Sequence, residues 1–351
     1  MTGNKGEWSE LYVLFRLLAE GRLYSADADL QRIENIYMPI LAIFRNETEY
    51  LHLEYRINEP FVEVYRNDEL MRQIRMDILN EYAERILYGI SHGTRTGAFA
   101  IDNAEEMASE LETTKLKAPS TDKTDISIKI CDIMTGFEAV VGYSIKSKLG
   151  NPSTLLNPSG ATNFRYRVSD INDIEYVNSL PRIRDRLYEI KHYGRLRFGH
   201  ATSLVFRDNL MLIDTKMEEI LAYALQLYYA EGYTYLSDIA AKMEQVNLLG
   251  FTKHGIYTYK LKKLLCAIAL GMTPGREWDG RDEANGGYIV VKEDGDILAY
   301  HLYNRNAFEE YLLRNTKFDT PSTSRYDFGY LYRLAEGGNC FLNLNLQIRF
   351  I

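Results

Sequence analysis

Apolar and polar residues alternate along two neighbouring stretches of the chain, residues 124–130 and 141–148. A period of two is typical of a half-buried strand, and Gly136 lies between the stretches, so the pattern predicts a β-hairpin. With regular pairing, Asp125 and Lys146 project from the same face near the same end of the sheet. This hairpin is the most informative feature of the sequence.

Helical and strand-like patterns predict the other elements. Apolar residues at helical spacing predict a first helix over residues 5–20, ended by Gly21, and a short acidic helix over 103–111. We expect a long helix from residue 67 to about residue 91, because Asn67-Asp68-Glu69 is typical of a helix start. The predicted strands cover residues 36–44, 50–55, 61–65, 288–292, 297–303 and 341–350.

The second half of the chain is mostly helical in pattern before its last strands. Residues 217–270 follow a helical spacing, within which 237–246 and 254–269 could form a helix-turn-helix pair. The apolar run at 210–216 is interpreted as a strand that leads into a helix through a capping box at 215–218.

These elements together predict an α/β (mixed α+β) fold in three parts. Residues 1–207 form a core that contains the hairpin at 124–150, residues 208–275 form a helical segment, and residues 276–351 lean towards β structure. A chain of 351 residues is long enough to bury a core of this size.

Composition and charge exclude few classes of function. Apolar residues make up 46% and charged residues 26% of the chain, as in an ordinary globular protein. No apolar run is long enough to span a membrane, and the polar start is not a signal peptide. Three dispersed cysteines favour a reducing cytoplasm over a disulfide scaffold or a zinc site. The net charge of −8 argues against a DNA coat protein but allows a DNA enzyme with a local basic cleft.

The hairpin holds an acid beside an ammonium group, which is what a metal-dependent phosphodiesterase needs, so we interpret it as a nuclease site. Mg²⁺ prefers more than one anionic oxygen among its ligands, yet Ser144 occupies the position two before Lys146 where a second carboxylate is expected. Glu138 lies ~25 Å from Lys146 along the strand and is too far away to complete the site. Asp125 could also be a strand-edge acid in a salt bridge.

The first helix offers a second acid for this site. Glu10 belongs to a helical row with Leu14 and Leu17, so it points towards the packed side, where a carboxylate needs a compensating partner such as a metal ion. Glu7 and Glu10 could equally cap the helix and favour its dipole. Both interpretations stay open on the residues alone.

Candidate DNA contacts are dispersed along the chain. Two basic segments, 182–197 and 253–263, could follow a DNA backbone or could form solvated helix faces. The polar loop at 150–164 and the C-terminal part supply Asn and Arg side chains, which commonly pair with adenine and guanine in the major groove. The candidates are Asn157, Thr162, Asn163, Arg195, Arg197, Lys260, Asn304, Arg305 and Arg325.

The chain resembles the HpaII-type type II restriction endonucleases across nearly its whole length, and several segments carry the resemblance. They are residues 3–10 (Gly-Asn-Lys-Gly-Glu-Trp-Ser-Glu), 142–150 with 154–157 and 162–164, and 343–350. That family is similar to the PD-(D/E)xK nuclease superfamily. The resemblance implies a mixed β-sheet flanked by helices, with Mg²⁺ at one sheet edge and a β-rich C-terminal part that recognises DNA.

The resemblance also implies roles for individual residues. Asp125 matches the first acid of the superfamily motif, Lys146 its final lysine, and Glu10 the glutamate of a Lys-Gly-x-x-x-Glu helix. Ser144 departs from the acidic position of the motif, which raises the importance of Glu10. The implied Mg²⁺ ligands are Asp125, Glu10 and the backbone carbonyl of Ile145, the implied catalytic residues are Asp125, Lys146 and Glu10, and Glu7, Ser144 and Lys148 are supporting candidates.

The function implied by the resemblance is cleavage of duplex DNA at a short palindrome, CCGG for the founding member. A homodimer on the palindrome, a cognate DNA methyltransferase and a bacterial or archaeal cytoplasm fit that function. Two rival functions remain. One is a structure-specific DNA nuclease such as a junction resolvase, and the other is a non-catalytic, sequence-specific DNA-binding protein, suggested by Ser144 at the acid position.

Overall fold

The computed structural model describes residues 1–94, 96–117, 124–132, 135–301, 304–334 and 339–351. The first elements are α1 (Lys5–Glu20), β1 (Arg22–Ala26), β2 (Arg32–Thr48), β3 (Leu51–Asn58), β4 (Phe61–Arg66), β5 (Glu69–Arg75), α2 (Met76–His92), α3 (Ala104–Glu110), β6 (Ile126–Cys131) and β7 (Glu138–Ser147). The next are β8 (Thr154–Leu156), β9 (Asn163–Ser169), α4 (Ile174–Ser179), α5 (Ile183–Tyr193), β10 (Arg195–Ala201), α6 (Leu204–Ile213), α7 (Met217–Gln226), α8 (Leu236–Val246) and α9 (Ile256–Leu270). The last are β11 (Gly287–Val291), β12 (Ile297–His301), α10 (Arg305–Arg314), β13 (Thr316–Phe318), α11 (Thr323–Tyr326), β14 (Leu331–Arg333), β15 (Cys340–Asn345) and β16 (Ile348–Phe350).

The chain folds into two compact units, each made from two segments. Unit 1 comprises Met1–Ser153 and Glu283–Phe308, and unit 2 comprises Thr154–Asp282 and Glu309–Ile351. The mixed α/β class matches the predicted class. The division differs from the three predicted parts, because β11 and β12 belong to the same sheet as β7 rather than to a separate C-terminal part.

Within the described residues, unit 1 contains a nine-stranded mixed sheet in the order β1-β12-β11-β7-β6-β2-β3-β4-β5, and β1 also pairs with β2. The predicted hairpin is present, since β6 and β7 are antiparallel with Ile126 opposite Tyr143. On its other side β7 is parallel to β11, with Lys146 opposite Val290. The hairpin therefore lies inside the sheet, with a neighbouring strand on each side of it.

Helix α1 begins and ends where the sequence predicts. The Asn4 side chain accepts hydrogen bonds from the Gly6 and Glu7 backbone N–H groups, and the Glu7 carboxylate accepts one from the Asn4 N–H at 3.0 Å. This reciprocal capping box satisfies N–H groups that have no partner within the helix. Gly21, at φ 64°, ends the helix in a left-handed conformation that glycine adopts without strain. The apolar face of α1 packs into the core of unit 1.

Unit 2 contains two smaller sheets. The first has the strand order β10-β9-β15-β14, and the second has the order β13-β16-β8. Phe164, Tyr166 and Val168 of β9 are buried, and the Tyr166 hydroxyl donates to the Ala222 carbonyl of α7 at 2.6 Å. Helices thus cover one face of the first sheet. Among the described residues, no helix combines the length and the apolar composition needed to cross a bilayer.

The predicted helix start at residue 67 is wrong. Asn67 and Asp68 both have positive φ angles, 48° and 67°, and they form the turn of the β4–β5 hairpin. Two consecutive left-handed residues give the twist that a tight hairpin requires, and Asn and Asp tolerate this conformation. The chain continues as β5, and α2 begins only at Met76.

The predicted strand at residues 210–216 is also wrong. Residues 210–213 are the end of α6, and residues 214–216 follow it. The Ser203 hydroxyl caps this helix by accepting from the Phe206 N–H at 3.2 Å. Phe206 and Leu210, four residues apart, form its buried side, whereas Met211 and Leu212 are each 60% exposed. The capping box expected at 215–218 is not formed, since α7 has no side-chain cap and the Lys216 N–H donates to Asp214.

Candidate active site

The β6–β7 hairpin brings Asp125, Ser144 and Lys146 to one face of the sheet of unit 1. Asp125 directly precedes β6, and its backbone N–H donates to the Tyr143 carbonyl at 2.9 Å. Ser144 and Lys146 share a face because side chains alternate along a strand. The Ser144 hydroxyl donates to Asp125 Oδ2 at 3.0 Å. The acid and the lysine therefore lie on the same face, as the hairpin pattern predicted.

Two hydrogen bonds hold one oxygen of the Asp125 carboxylate. Oδ2 accepts from the Ser144 hydroxyl and from the Ile145 N–H at 2.6 Å, whereas Oδ1 accepts none from the described residues. The N–H and C=O of one strand residue point to the same side, so the Ile145 carbonyl also points towards the side occupied by Asp125. Ser144 thus supplies a hydroxyl that orients the first acid, in place of a second carboxylate.

Glu10 of α1 lines two clefts of unit 1. It borders a cleft of about 60 Å³ together with Asp125, and a wider cleft of about 490 Å³ together with Ile145 and Lys146. The helix glutamate is therefore next to both the acid and the lysine of the hairpin. This position favours the interpretation of Glu10 as a site residue over a capping role alone.

Lys146 and Lys148 of the hairpin make no ion pair with any residue in the described ranges. The Lys146 Nζ atom lies 5.4 Å from the ring centre of Tyr288, which is opposite Ser144 on β11. An aromatic face attracts a cation weakly and leaves its charge available to an anion. No carboxylate in the described part of the chain thus pairs with the Lys146 ammonium, which lines the wider cleft beside Glu10.

Glu7 and Glu138 have structural contacts instead. Glu7 completes the cap of α1 and pairs with Lys117, with 2.7 Å between Oε1 and Nζ. The hydrogen bond from Lys117 and the one from the Asn4 backbone hold the pKa of Glu7 below its usual value. Glu138 pairs with Lys129 across the hairpin at 2.7 Å. Glu7 and Glu10 of α1 therefore have different surroundings, and the predicted capping role applies to Glu7.

Two polar residues of the smaller cleft, Arg45 and Asn46, were not predicted. They lie near the end of β2, which pairs with β6 so that Phe44 is opposite Ser127. Arg45 Nε donates to Glu47 Oε1 at 2.6 Å. Burial raises the pKa of Glu47, but hydrogen bonds from Thr113 and the Arg45 charge outweigh it and lower the pKa overall. Only the strand order could have placed these residues beside Asp125.

Two of the predicted base-reading residues are buried in unit 2. Thr162 is 0% exposed and Asn163 is 4% exposed. The Thr162 hydroxyl donates to the Ser159 carbonyl, and the Asn163 amide donates to the Tyr326 carbonyl at 2.8 Å and accepts from Asn345. They stabilise the pairing of β9 with β15. Because their side chains are buried, they cannot contact a base edge. The polar residues of this loop suggested contacts to bases, but these two make hydrogen bonds within the protein.

The other DNA-contact candidates fall into two groups. The side chains of one group are exposed in the structure, and its members are Asn157, Arg195, Arg197, Asn304, Arg305 and Arg325. Lys260 differs, because it is ion-paired with Asp214 and its side chain is only 16% exposed. Its neighbours Lys262 and Lys263 pair with Glu310 and Glu309. The basic segment at 253–263 therefore has acidic partners within unit 2 that the local sequence does not reveal.

An oriented acid, a helix glutamate and a lysine that pairs with no acid among the described residues are groups that a nuclease can use. The comparison with known proteins leads to DNA endonucleases. The model of the HpaII restriction endonuclease family matches residues 4–350. The type II restriction enzyme HpaII of Haemophilus parainfluenzae is 42% identical over 358 aligned positions, which cover 100% of this chain and 99% of that enzyme. The chain therefore belongs to the HpaII restriction endonuclease family, and it is a site-specific DNA endonuclease. No solved structure matches it.

Proposed function

We propose that this protein is a Mg²⁺-dependent type II restriction endonuclease that hydrolyses duplex DNA at a short palindrome, and that unit 1 contains a PD-(D/E)xK core. The observation that supports this function best is the arrangement of Asp125, Glu10 and Lys146 around two clefts at one end of the β6–β7 hairpin. Family membership supports the same reaction class.

The chemistry of the donor groups fits Mg²⁺, which prefers oxygen ligands. Asp125 Oδ1 accepts no hydrogen bond from the described residues, and Glu10 borders the same cleft. In the described ranges no cluster of three or more His, Cys, Asp or Glu side chains is arranged for a metal. The proposed ligands are therefore two carboxylates, from Asp125 and Glu10, and the backbone carbonyl of Ile145. When bound, Mg²⁺ would supply charge to polarise the scissile phosphate and lower the pKa of a bound water.

The remaining groups of the site position the reactants. The Lys146 ammonium is a hydrogen-bond donor. It would orient the attacking water and stabilise negative charge that develops on a phosphate oxygen. Ser144 and the Ile145 N–H hold the Asp125 carboxylate in a fixed orientation. Lys148, two residues further along, would contact a neighbouring phosphate. Each of these roles uses a donor or a charge that the structure leaves available or fixes in place.

The proposed target is CCGG, the site that the family resemblance implies for the founding member. A palindrome presents the same sequence on both strands, so a symmetric dimer with one active site per strand would cut both. We further propose a cognate DNA methyltransferase as the functional partner and the cytoplasm as the location.

Digestion of unmethylated plasmid DNA tests this function directly. Wild-type protein with Mg²⁺ is expected to give discrete fragments, and sequencing of their ends gives the target. EDTA, Asp125→Ala and Glu10→Gln are each expected to abolish the fragments, because each removes the metal or one of its proposed ligands.

Glu7→Gln is the matched control, since Glu7 lies on the same helix but caps it. Fragments should persist in this variant. Fragments that survive in Glu10→Gln would return Glu10 to a structural role. Absence of cleavage by the wild type in both Mg²⁺ and Mn²⁺ would contradict the proposed function.

A further inference from the structure

The sheet of unit 2 with the order β10-β9-β15-β14 has one packed face and one face that carries a concentration of arginines. Directly opposed residues in a sheet share a face, and side chains alternate along each strand. The register therefore assigns one set of residues to the side away from Phe164, Tyr166 and Val168. On this side Asn163, Asn343 and Asn345 are buried. The arginine face consists of the remaining residues, Arg165, Arg167 and Ser169 of β9, Arg195, Arg197 and His200 of β10, Phe341 of β15 and Tyr332 of β14.

The charges on the arginine face are all of one sign. Arg197 lies directly opposite Arg167, although like charges at opposed positions destabilise a sheet. None of the strand positions that form this face is an Asp or a Glu. Asp170, just beyond the end of β9, pairs with Arg195 at 3.4 Å. A cluster of cations that meets so few acids among the described residues, in a chain of net charge −8, favours an anion from outside the chain as its partner.

The arginines differ in how they are held. Arg197 is exposed, and its side chain makes no hydrogen bond or ion pair with a described residue. Arg167 is also exposed, and it donates to the Asn339 side chain at 2.7 Å. Both guanidinium groups therefore keep most of their donors for a ligand. Exposed arginines of this kind suit the phosphates of a nucleic-acid backbone.

Arg165 differs from its neighbours in lying beside two aromatic rings. Its guanidinium carbon lies 6.0 Å from the ring centre of Tyr332 and 5.8 Å from that of Phe341. Its Nε atom is buried without a hydrogen-bond partner, and its terminal nitrogens make no hydrogen bond within the described residues. Two aromatic rings thus flank a guanidinium whose paired donors bond to no described residue. A guanidinium fork with its donors available in this way matches the O6 and N7 acceptors of guanine.

We propose that the arginine face is a DNA-binding surface of this enzyme, on which Arg167 and Arg197 contact phosphates and Arg165 reads a guanine. The inference rests on the proposed function, because it takes duplex DNA as the substrate. It adds Arg165 and Arg167 to the DNA-contact residues, gives Arg165 a role in specificity, and makes Tyr332 and Phe341 positioning residues for Arg165.

Fluorescence anisotropy in EDTA measures binding without cleavage. The probes are a 20-base-pair duplex with the target defined by plasmid digestion and a duplex in which one G·C pair of that target is replaced by A·T. Arg165→Lys keeps the charge but loses the fork, so the preference for the target duplex should fall by about tenfold to a hundredfold. Arg197→Ala should weaken binding of both duplexes in parallel and reduce the slope of log K against log[salt] by about 0.9.

Arg182→Ala is the control, because Arg182 is an exposed arginine of unit 2 that lies outside the arginine face and pairs with Asp185. It should bind both duplexes like the wild type. Circular dichroism checks the fold of every variant, and Arg197→Ala removes no hydrogen bond or ion pair to a described residue. Wild-type behaviour of both Arg165→Lys and Arg197→Ala would overturn this inference and leave the proposed function intact. A wild type that neither binds nor cuts duplex DNA would overturn the proposed function, and the inference would fall with it.

Discussion

Two groups of lysines look alike in the sequence and differ in the structure. Lys146 lies on β7 and Lys148 just after its end, and neither ammonium has an acidic partner among the described residues. Lys260, Lys262 and Lys263 lie on α9, and each is paired with an acid. The first group thus carries charge that remains available to phosphate, whereas the charge of the second group is largely compensated inside unit 2.

The difference arises from where the acids lie in the chain. Residues 253–263 contain no acid, but Asp214, Glu309 and Glu310 reach α9 from elsewhere in the chain. A charge in a partly buried position is stable only with such a partner. Local charge counts therefore identify a cation without telling whether it is available. Substitutions of matched lysines from the two groups test how far this distinction governs function.

The largest effect is expected for Lys146→Ala. Loss of a positioned donor to the developing phosphate charge should lower the single-turnover cleavage rate by about 10³-fold, while DNA binding in EDTA stays close to that of the wild type. Lys262→Ala serves as the control and should cleave normally, because Lys262 pairs with Glu310. Parallel loss of cleavage and binding in Lys146→Ala would show that this lysine acts in binding alone.

A smaller effect is expected for Ser144→Ala, which removes one of the two hydrogen bonds to Asp125 Oδ2. Loss of a contact that orients a metal ligand typically weakens metal affinity by about 10- to 100-fold. The Mg²⁺ concentration for half-maximal cleavage should rise accordingly, with little change in the rate at saturating Mg²⁺. Ser144→Thr keeps the hydroxyl and should restore the wild-type value. An unchanged Mg²⁺ dependence in Ser144→Ala would exclude this role.

Local pattern was sufficient to predict the elements that carry the site. The helical spacing of apolar residues over 5–20, the end at Gly21 and the alternation in the hairpin are all local signals, and α1, β6 and β7 form where these signals lie. The side-by-side position of Asp125 and Lys146 follows from two strands joined by a short connection. The position of Glu10 beside them needed the family resemblance, because helical periodicity alone left its role open.

Features that depend on strand order or on distant partners could not be predicted. Arg45 reaches the smaller cleft only because β2 pairs with β6, and Arg165 joins its aromatic neighbours only because β15 pairs with β9. The strand predicted at 210–216 failed for a related reason. A short apolar run is compatible with a strand or a helix, and the exposed Met211 and Leu212 gave it the appearance of a fully buried strand.

The smallest effect concerns stability and distinguishes the α9 lysines from Lys146 and Lys148. Glu309 is 5% exposed and pairs with Lys263 at 2.6 Å. Lys263→Met removes the Lys263 ammonium from that carboxylate, which should lower the free energy of unfolding by about 1–2 kcal/mol, between the values typical of surface and buried pairs. Urea unfolding monitored by circular dichroism measures this change. Glu309→Gln in the same chain removes the buried charge and should recover part of the loss.

Cleavage and DNA binding of Lys263→Met should match the wild type, because the charge of Lys263 is already compensated by Glu309. Weaker DNA binding without loss of stability would instead show that an ion-paired lysine of α9 exchanges its acid for phosphate.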